Sequence, residues 1–201
     1  MKDGPQRSLR RVCVFCGSHT GTLPAYRRAA ETIGRTLAGA GVDIVFGGGK
    51  VGLMGVMADA ALASGGAVIG VIPRRLAVLE VVHAGLTDLR IVESMHERKM
   101  LMADLVDAFV ALPGGYGTFE EFWEVVTWTQ LGIHHKPCGL LNVAGFYDPM
   151  LAQIDRAVKD GFISPENRAL VIAGDDVGGL LETLRQVRLP KAPGRADRPA
   201  P

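Results

Sequence analysis

The sequence predicts a single α/β domain: a doubly wound parallel sheet with helices on both faces. Short runs rich in Val and Ile alternate with longer helix-like segments along the 201 residues. These runs are apolar at nearly every position, the pattern of strands buried on both faces rather than on one. The glycine-rich loops follow the runs, and sheets of this kind bind ligands at the carboxyl ends of their strands.

Taken in order, "RVCVF" (11–15) reads as the first strand and 24–40 as the first helix. "DIVFG" (43–47) leads through "GGGKVGLMG" into a helix over 52–64. "AVIGVI" (67–72) ends at "PRR", which reads as a loop, and "LRIV" (89–92) precedes a helix over 95–105. "DAFVAL" (107–112) runs into "PGGYGT" and a helix over 118–132. "PCGLLN" (137–142), a helix over 146–160, "ALVIAG" (169–174) and a helix over 176–187 complete the alternation. Crossovers between such strands are right-handed. The domain spans 11–189, between a disordered basic tail (1–10) and a disordered Pro-rich tail (190–201). No internal repeat occurs.

Composition excludes several classes. Charged residues are 21% and the formal net charge is +1, so no strong field draws the chain to nucleic acid or a membrane surface. "MKDGPQRSLRR" lacks the apolar core of a signal peptide, and no apolar run is long enough to cross a bilayer. Three cysteines, an odd number, fit a reducing cytoplasm. Cys13 and Cys16 spell C-x-x-C, but on a strand positions three apart face opposite ways, so a shared metal is disfavoured.

"GGGKVG" matches G-x-G-x-x-G through Gly47, Gly49 and Gly52. A dinucleotide site wants an acid about 20 residues on for the ribose. Pro73, Arg74 and Arg75 stand at the end of the next strand instead. Lys50 is followed by Val51, so this is no Walker loop. Tight helix–strand packing and a phosphate or ribose neighbour both remain open. "PGGYGT" says more. Gly114, Gly115 and Gly117 lead directly into a helix, whose first N–H groups are unpaired and favour an anion.

Two acids follow. Thr118 and Glu121 have capping-box spacing, so Glu121 is expected to cap the helix. Glu120 aligns with Glu124 and Thr127 on a polar stripe, whereas Glu121 aligns with Val125 and Trp128 on the packed side. A carboxylate there needs a partner. Ser94 and Glu97 in "SMHERKMLM" also have capping-box spacing. Arg98 and Lys99 then fall near a helix N-terminus, which disfavours cations unless they meet an anion or Glu121. His96, His134 and His135 read as surface, packed or interface residues.

"PGGYGTFEE" fits P-G-G-x-G-T-x-x-E, and "MHERK" stands about twenty residues before it. With "GGGKVGLMG", these motifs resemble the Lonely Guy (LOG) family of cytokinin-activating enzymes, long mislabelled as lysine decarboxylase-like. The resemblance covers roughly residues 10–187. It implies a Rossmann-like fold, a homodimer, and hydrolysis of cytokinin riboside 5′-monophosphates, and of AMP, to free base and ribose 5-phosphate. It implies no metal and no organic cofactor. Arg98 and Glu121 match the family's catalytic pair, and Gly114, Gly115, Gly117 and Thr118 its phosphate loop. Lys99 and Met95 match the nucleotide-contacting stretch. Ser18, Gly48 and Gly49 fit the loops around the ribose phosphate. Leu79 stands where many relatives carry an arginine, which bears on affinity unless Arg74 or Arg75 substitutes. In the implied chemistry Glu121 stabilises a ribosyl cation or activates water, and Arg98 holds it ionised. The rival readings are a lysine decarboxylase using pyridoxal phosphate, a non-catalytic nucleotide sensor, and a nucleosidase acting chiefly on AMP.

Overall fold

The computed structural model describes residues 7–79 and 82–190, with backbone alone at 78 and 79. Seven parallel strands form one sheet: β1 (Arg11–Phe15), β2 (Asp43–Phe46), β3 (Val68–Pro73), β4 (Asp88–Val92), β5 (Ala108–Ala111), β6 (Cys138–Leu141) and β7 (Val171–Gly174). Their order is β4-β3-β2-β1-β5-β6-β7. The chain therefore winds outward from β1 in one direction, then returns beside β1 at β5 and winds the other way. The expected doubly wound, Rossmann-like α/β fold is present, and its switch point lies between β1 and β5.

Helices cover both faces. On one side α1 (Pro24–Gly39), α2 (Gly52–Ala63) and α8 (Val177–Gln186) pack with Val12, Val14 and Phe46. On the other, α4 (Met95–Leu105), α5 (Tyr116–Leu131) and α6 (Asp148–Lys159) pack with Cys13, Phe15 and Phe109. Cys13 and Cys16 fall in these separate cores, buried and unpaired as the strand geometry requires. Burial pushes the Cys13 thiol well up and holds Cys16 above its ordinary range as well, so neither is a thiolate.

The elements differ from the expected ones in a few places. β4 is an edge strand, and Leu89 and Ile91, expected inside, are exposed. "PRR" opens a short helix, α3 (Arg74–Leu79), rather than a loop, and a second short helix, α7 (Pro165–Arg168), is not among the expected elements. Residues 7–10, expected in a disordered tail, are tied down. Arg7 N–H donates to the Arg185 carbonyl, Leu9 is buried, and Arg10 N–H donates to Asp107. The rest of the expected tails, 1–6 and 191–201, and the side chain of Leu79 lie outside the described residues. Among the described residues, no helix is long and apolar enough to cross a membrane.

Helix starts decide the site. At α4 the expected cap forms: Ser94 Oγ accepts from Glu97 N–H at 3.1 Å, and Glu97 reaches back to accept from the N–H of Glu93, the residue before the N-cap, at 2.9 Å. At α5 it is not. The helix begins two residues earlier than expected, with Gly115 as N-cap and no side-chain cap. Gly115 can serve because a glycine is a tolerated N-cap. Thr118 is thus already inside the first turn, and Glu121 is released from capping.

Candidate functional site

The switch point sets the loops after β1 and β5 side by side. Gly17 N–H donates to the Pro113 carbonyl at 3.1 Å, and Leu112 N–H to the Phe15 carbonyl at 2.9 Å. Tyr147 Oη donates to the Leu112 carbonyl at 2.6 Å and anchors the start of the glycine loop. Gly114 must be glycine: a Cβ there would lie 2.1 Å from Thr118 Oγ1 and 2.9 Å from the Gly17 nitrogen. Thr118 is buried and wedges the loop from below. Gly115 and Gly117 differ, since a Cβ at either would meet nothing within 4 Å. They leave open space above the N-terminus of α5, where the first four N–H groups, counted from the Gly115 N-cap, lack a helical acceptor. A cleft of about 270 Å³ adjoins it, lined by Ser18, His19, Tyr26, Phe146, Gly114 and Gly115 among others.

One turn into α5, Glu121 meets Arg98 from α4. Arg98 Nη1 and Glu121 Oε1 are 2.7 Å apart, with 11% and 14% of the side chains exposed. Arg98 Nε donates to the Val71 carbonyl of β3 at 3.0 Å. Gly47 makes room for the guanidinium, because a Cβ there would lie 2.4 Å from Nη2. A carboxylate and a guanidinium, both largely withdrawn from solvent, thus answer each other at the strand ends, and each would be costly alone. Burial pushes the Glu121 carboxyl above its ordinary range, and Arg98 pulls it down without cancelling that rise. The expected role of Arg98 was to hold Glu121 ionised. The sign of its effect is as expected, but desolvation outweighs it.

Glu120, on the polar stripe, is exposed, and its partner is Lys99. Lys99 also meets Glu124 at 3.2 Å, a contact the sequence did not single out. Burial works against the Lys99 charge, yet its bonds to Glu120 and Glu124 leave its affinity for the proton raised. Met95, the first residue of α4, is 40% exposed. Gly48 takes the left-handed conformation (φ 82°) after β2, and Gly49 forms an isolated bridge with Val82. Leu53, at the start of α2, donates its N–H to the Gly17 carbonyl and lines the cleft. The predicted residues therefore stand in the loops after β1 (Ser18) and β2 (Gly48, Gly49), on α4 after β4 (Met95, Arg98, Lys99) and in the loop and helix after β5 (Gly114 to Glu121).

Sequence reasoning missed the segment that pins Gly48. His83 N–H donates to the Gly48 carbonyl at 3.0 Å. The His83 ring reaches Asp59 of α2 at 2.9 Å. Nothing in the spacing of Asp59 and His83 signals this, since it arises only when α2 and the segment before β4 are folded together. His134 packs against Phe109 and Trp128, and burial pushes it down to about 4, so it is neutral. Among the described residues, no group of three or more His, Cys, Asp or Glu is placed to hold a metal ion.

Residues 54–184 match a family model described as "Possible lysine decarboxylase". A probable cytokinin riboside 5′-monophosphate phosphoribohydrolase from Oryza sativa subsp. japonica is 54% identical over 181 residues, covering 90% of this chain and 80% of the relative. A cytokinin riboside 5′-monophosphate phosphoribohydrolase from Rhodococcoides fascians is 50% identical over 177 residues, covering 88% and 89%. Among solved structures, the molybdenum cofactor carrier protein from Chlamydomonas reinhardtii superposes with a TM-score of 0.66 at 20% identity, covering 88% of this chain and 96% of that one. A molybdenum cofactor binding protein from Rippkaea orientalis gives 0.65 at 20%, covering 86% and 93%. At such identity these two share the fold alone.

Proposed function

The chain belongs to the LOG family of cytokinin riboside 5′-monophosphate phosphoribohydrolases, and we propose that Glu121 and Arg98 carry that hydrolysis in it. The enzyme hydrolyses the N-glycosidic bond of an N6-modified adenosine 5′-monophosphate, and AMP is a second substrate in this reading. Water adds to C1′, the bond to N9 breaks, and the products are the free base and ribose 5-phosphate.

The observation that carries the assignment is the largely buried Arg98–Glu121 pair, 2.7 Å apart, one turn beyond an open helix N-terminus. The N–H groups of that terminus, with Gly114, Gly115, Gly117 and Thr118, receive the 5′-phosphate. Ser18, Gly48 and Gly49 border the ribose phosphate, and Met95 and Lys99 the nucleotide. Fixing the phosphate fixes the ribose against Glu121. The ionised carboxylate then stabilises positive charge developing at C1′ and takes a proton from the attacking water. Arg98 keeps that carboxylate oriented and opposes its protonation.

The decarboxylase description fits the residues less well. A Schiff-base lysine must shed its proton, and Lys99 is held charged by Glu120 and Glu124. Leu131 and Ile133 are 57% and 58% exposed at the end of α5, which supports a homodimer closing over them.

The test follows free base by chromatography from N6-isopentenyl-AMP and from AMP. Wild type should release base from both, and Glu121→Gln should lose about 100-fold or more in kcat. No release by wild type refutes the reaction, and full release by Glu121→Gln refutes the residue assignment.

A further inference from the structure

We propose that His83, tethered by Asp59, is a positioning residue that holds the Gly47–Gly49 turn beneath the Arg98 guanidinium. The hydrogen bonds fix the state of its ring. Gly85 N–H donates to His83 Nδ1 at 3.1 Å, and a backbone nitrogen can only donate. Nδ1 is therefore the acceptor, and the proton of the neutral ring sits on Nε2, which donates to Asp59 Oδ1 at 2.9 Å. The ring is buried, while Asp59 lies on the exposed side of α2.

This arrangement makes a latch. Asp59 belongs to α2, and His83 and Gly85 to the segment between α3 and β4. The ring clamps that segment to α2, while its own N–H holds the Gly48 carbonyl at 3.0 Å. Val82 adds the antiparallel bridge to Gly49. Gly48 is in the left-handed region, so the turn has little local preference of its own to keep it in place. The next residue back, Gly47, is the one whose missing Cβ admits Arg98 Nη2. The chain of contacts runs from Asp59 through His83 to Gly48, Gly47, Arg98 and Glu121. A loosened turn would shift the seat of Arg98, and ångström displacements around a reacting centre cost about 100-fold at the extreme.

The inference rests on the proposed hydrolysis for its effect on rate, but the latch itself has a readout that does not. His83→Gln keeps an amide N–H donor near the position of Nε2 and so can still reach Asp59, whereas the amide of His83→Asn ends near the position of Nδ1 and falls short of it. Hydrogen exchange of residues 47–50 should quicken in His83→Asn and stay near wild type in His83→Gln. Base release from N6-isopentenyl-AMP should fall about tenfold or more in kcat/KM for His83→Asn and stay within about threefold for His83→Gln, with both chains folded by circular dichroism. Should His83→Asn not fold, Asp59→Ala replaces it, changing only the exposed end of the tether, and the same direction is expected in smaller measure. Unchanged exchange and kcat/KM in the latch-broken variant overturn the proposal, as does a fall in His83→Gln equal to that in His83→Asn. A wild type that releases no base refutes the hydrolysis alone, and hydrogen exchange then decides the latch.

Discussion

At the scale of single residues, two neighbouring acids have opposite fates. Helical periodicity alone separates them: Glu120 is 53% exposed on the polar stripe, and Glu121 is 14% exposed against Arg98. The pairing with Arg98 was legible because a cation near a helix start calls for an anion. The balance of charge and burial was not, because desolvation depends on what the whole fold packs around the group. This balance has a kinetic consequence. If ionised Glu121 is the working form, activity is lost as pH falls through its raised pKa. The acid limb of kcat/KM should therefore lie above the ordinary glutamate range of about 4.3. Arg98 favours the charged form, so its removal raises the Glu121 pKa further. In Arg98→Ala the acid limb should move to higher pH, on top of a lower plateau. A pH profile of base release checks this, and a limb that moves down or stays fixed contradicts the pairing as the controlling contact. His83 and Asp59 stood outside any sequence pattern, since their meeting depends on tertiary packing across 24 positions.

At the scale of the element, α5 and the loop before it show what local rules predict and where they stop. The run of glycines, the helix and its buried face were all legible from composition and period. The starting residue was not, because Thr118–Glu121 offered a capping box and the helix took Gly115 instead. The reason is steric: Thr118 is occupied below the loop, with Gly114 packed against its hydroxyl. Adjacent glycines should then respond differently to the same methyl group. Gly114→Ala puts a Cβ 2.1 Å from Thr118 Oγ1, and overpacking of this kind costs about 1–3 kcal/mol. Gly115→Ala puts its Cβ into open space, so stability should fall only by what a poorer N-cap costs, about 1 kcal/mol or less and less than in Gly114→Ala. If that space holds the 5′-phosphate, Gly115→Ala should nonetheless raise KM for the nucleotide. Thermal or denaturant unfolding of both variants, beside their kinetics, tests the pair. Equal stability losses would contradict the geometry, and an unchanged KM in a stable Gly115→Ala would remove the phosphate from that loop.

At the scale of the whole molecule, the sheet order explains why motifs spread over more than a hundred residues meet. Alternating apolar runs and helices made the doubly wound class legible, and the class places ligand loops at the strand ends. Which loops become neighbours depends on the switch between β1 and β5, and pairing partners are not written in strand composition. The same limit hid the edge position of β4, whose Leu89 and Ile91 read as core. Exposed apolar residues at the end of α5 bear on assembly. Leu131 ends, and Ile133 follows, a helix that buries Phe122, Val125 and Val126 in this same chain, so that helix meets the internal core without them. Scattered apolar exposure is ordinary, but two large side chains within three positions suit a contact between copies. Light scattering on the purified chain should give twice the mass of 21.4 kDa. Leu131→Asp combined with Ile133→Asp should shift it toward the monomer, because charges at an interface core are poorly tolerated. A wild-type monomer would remove the homodimer from the proposed function, and a dimer indifferent to both substitutions would place its interface elsewhere on the surface.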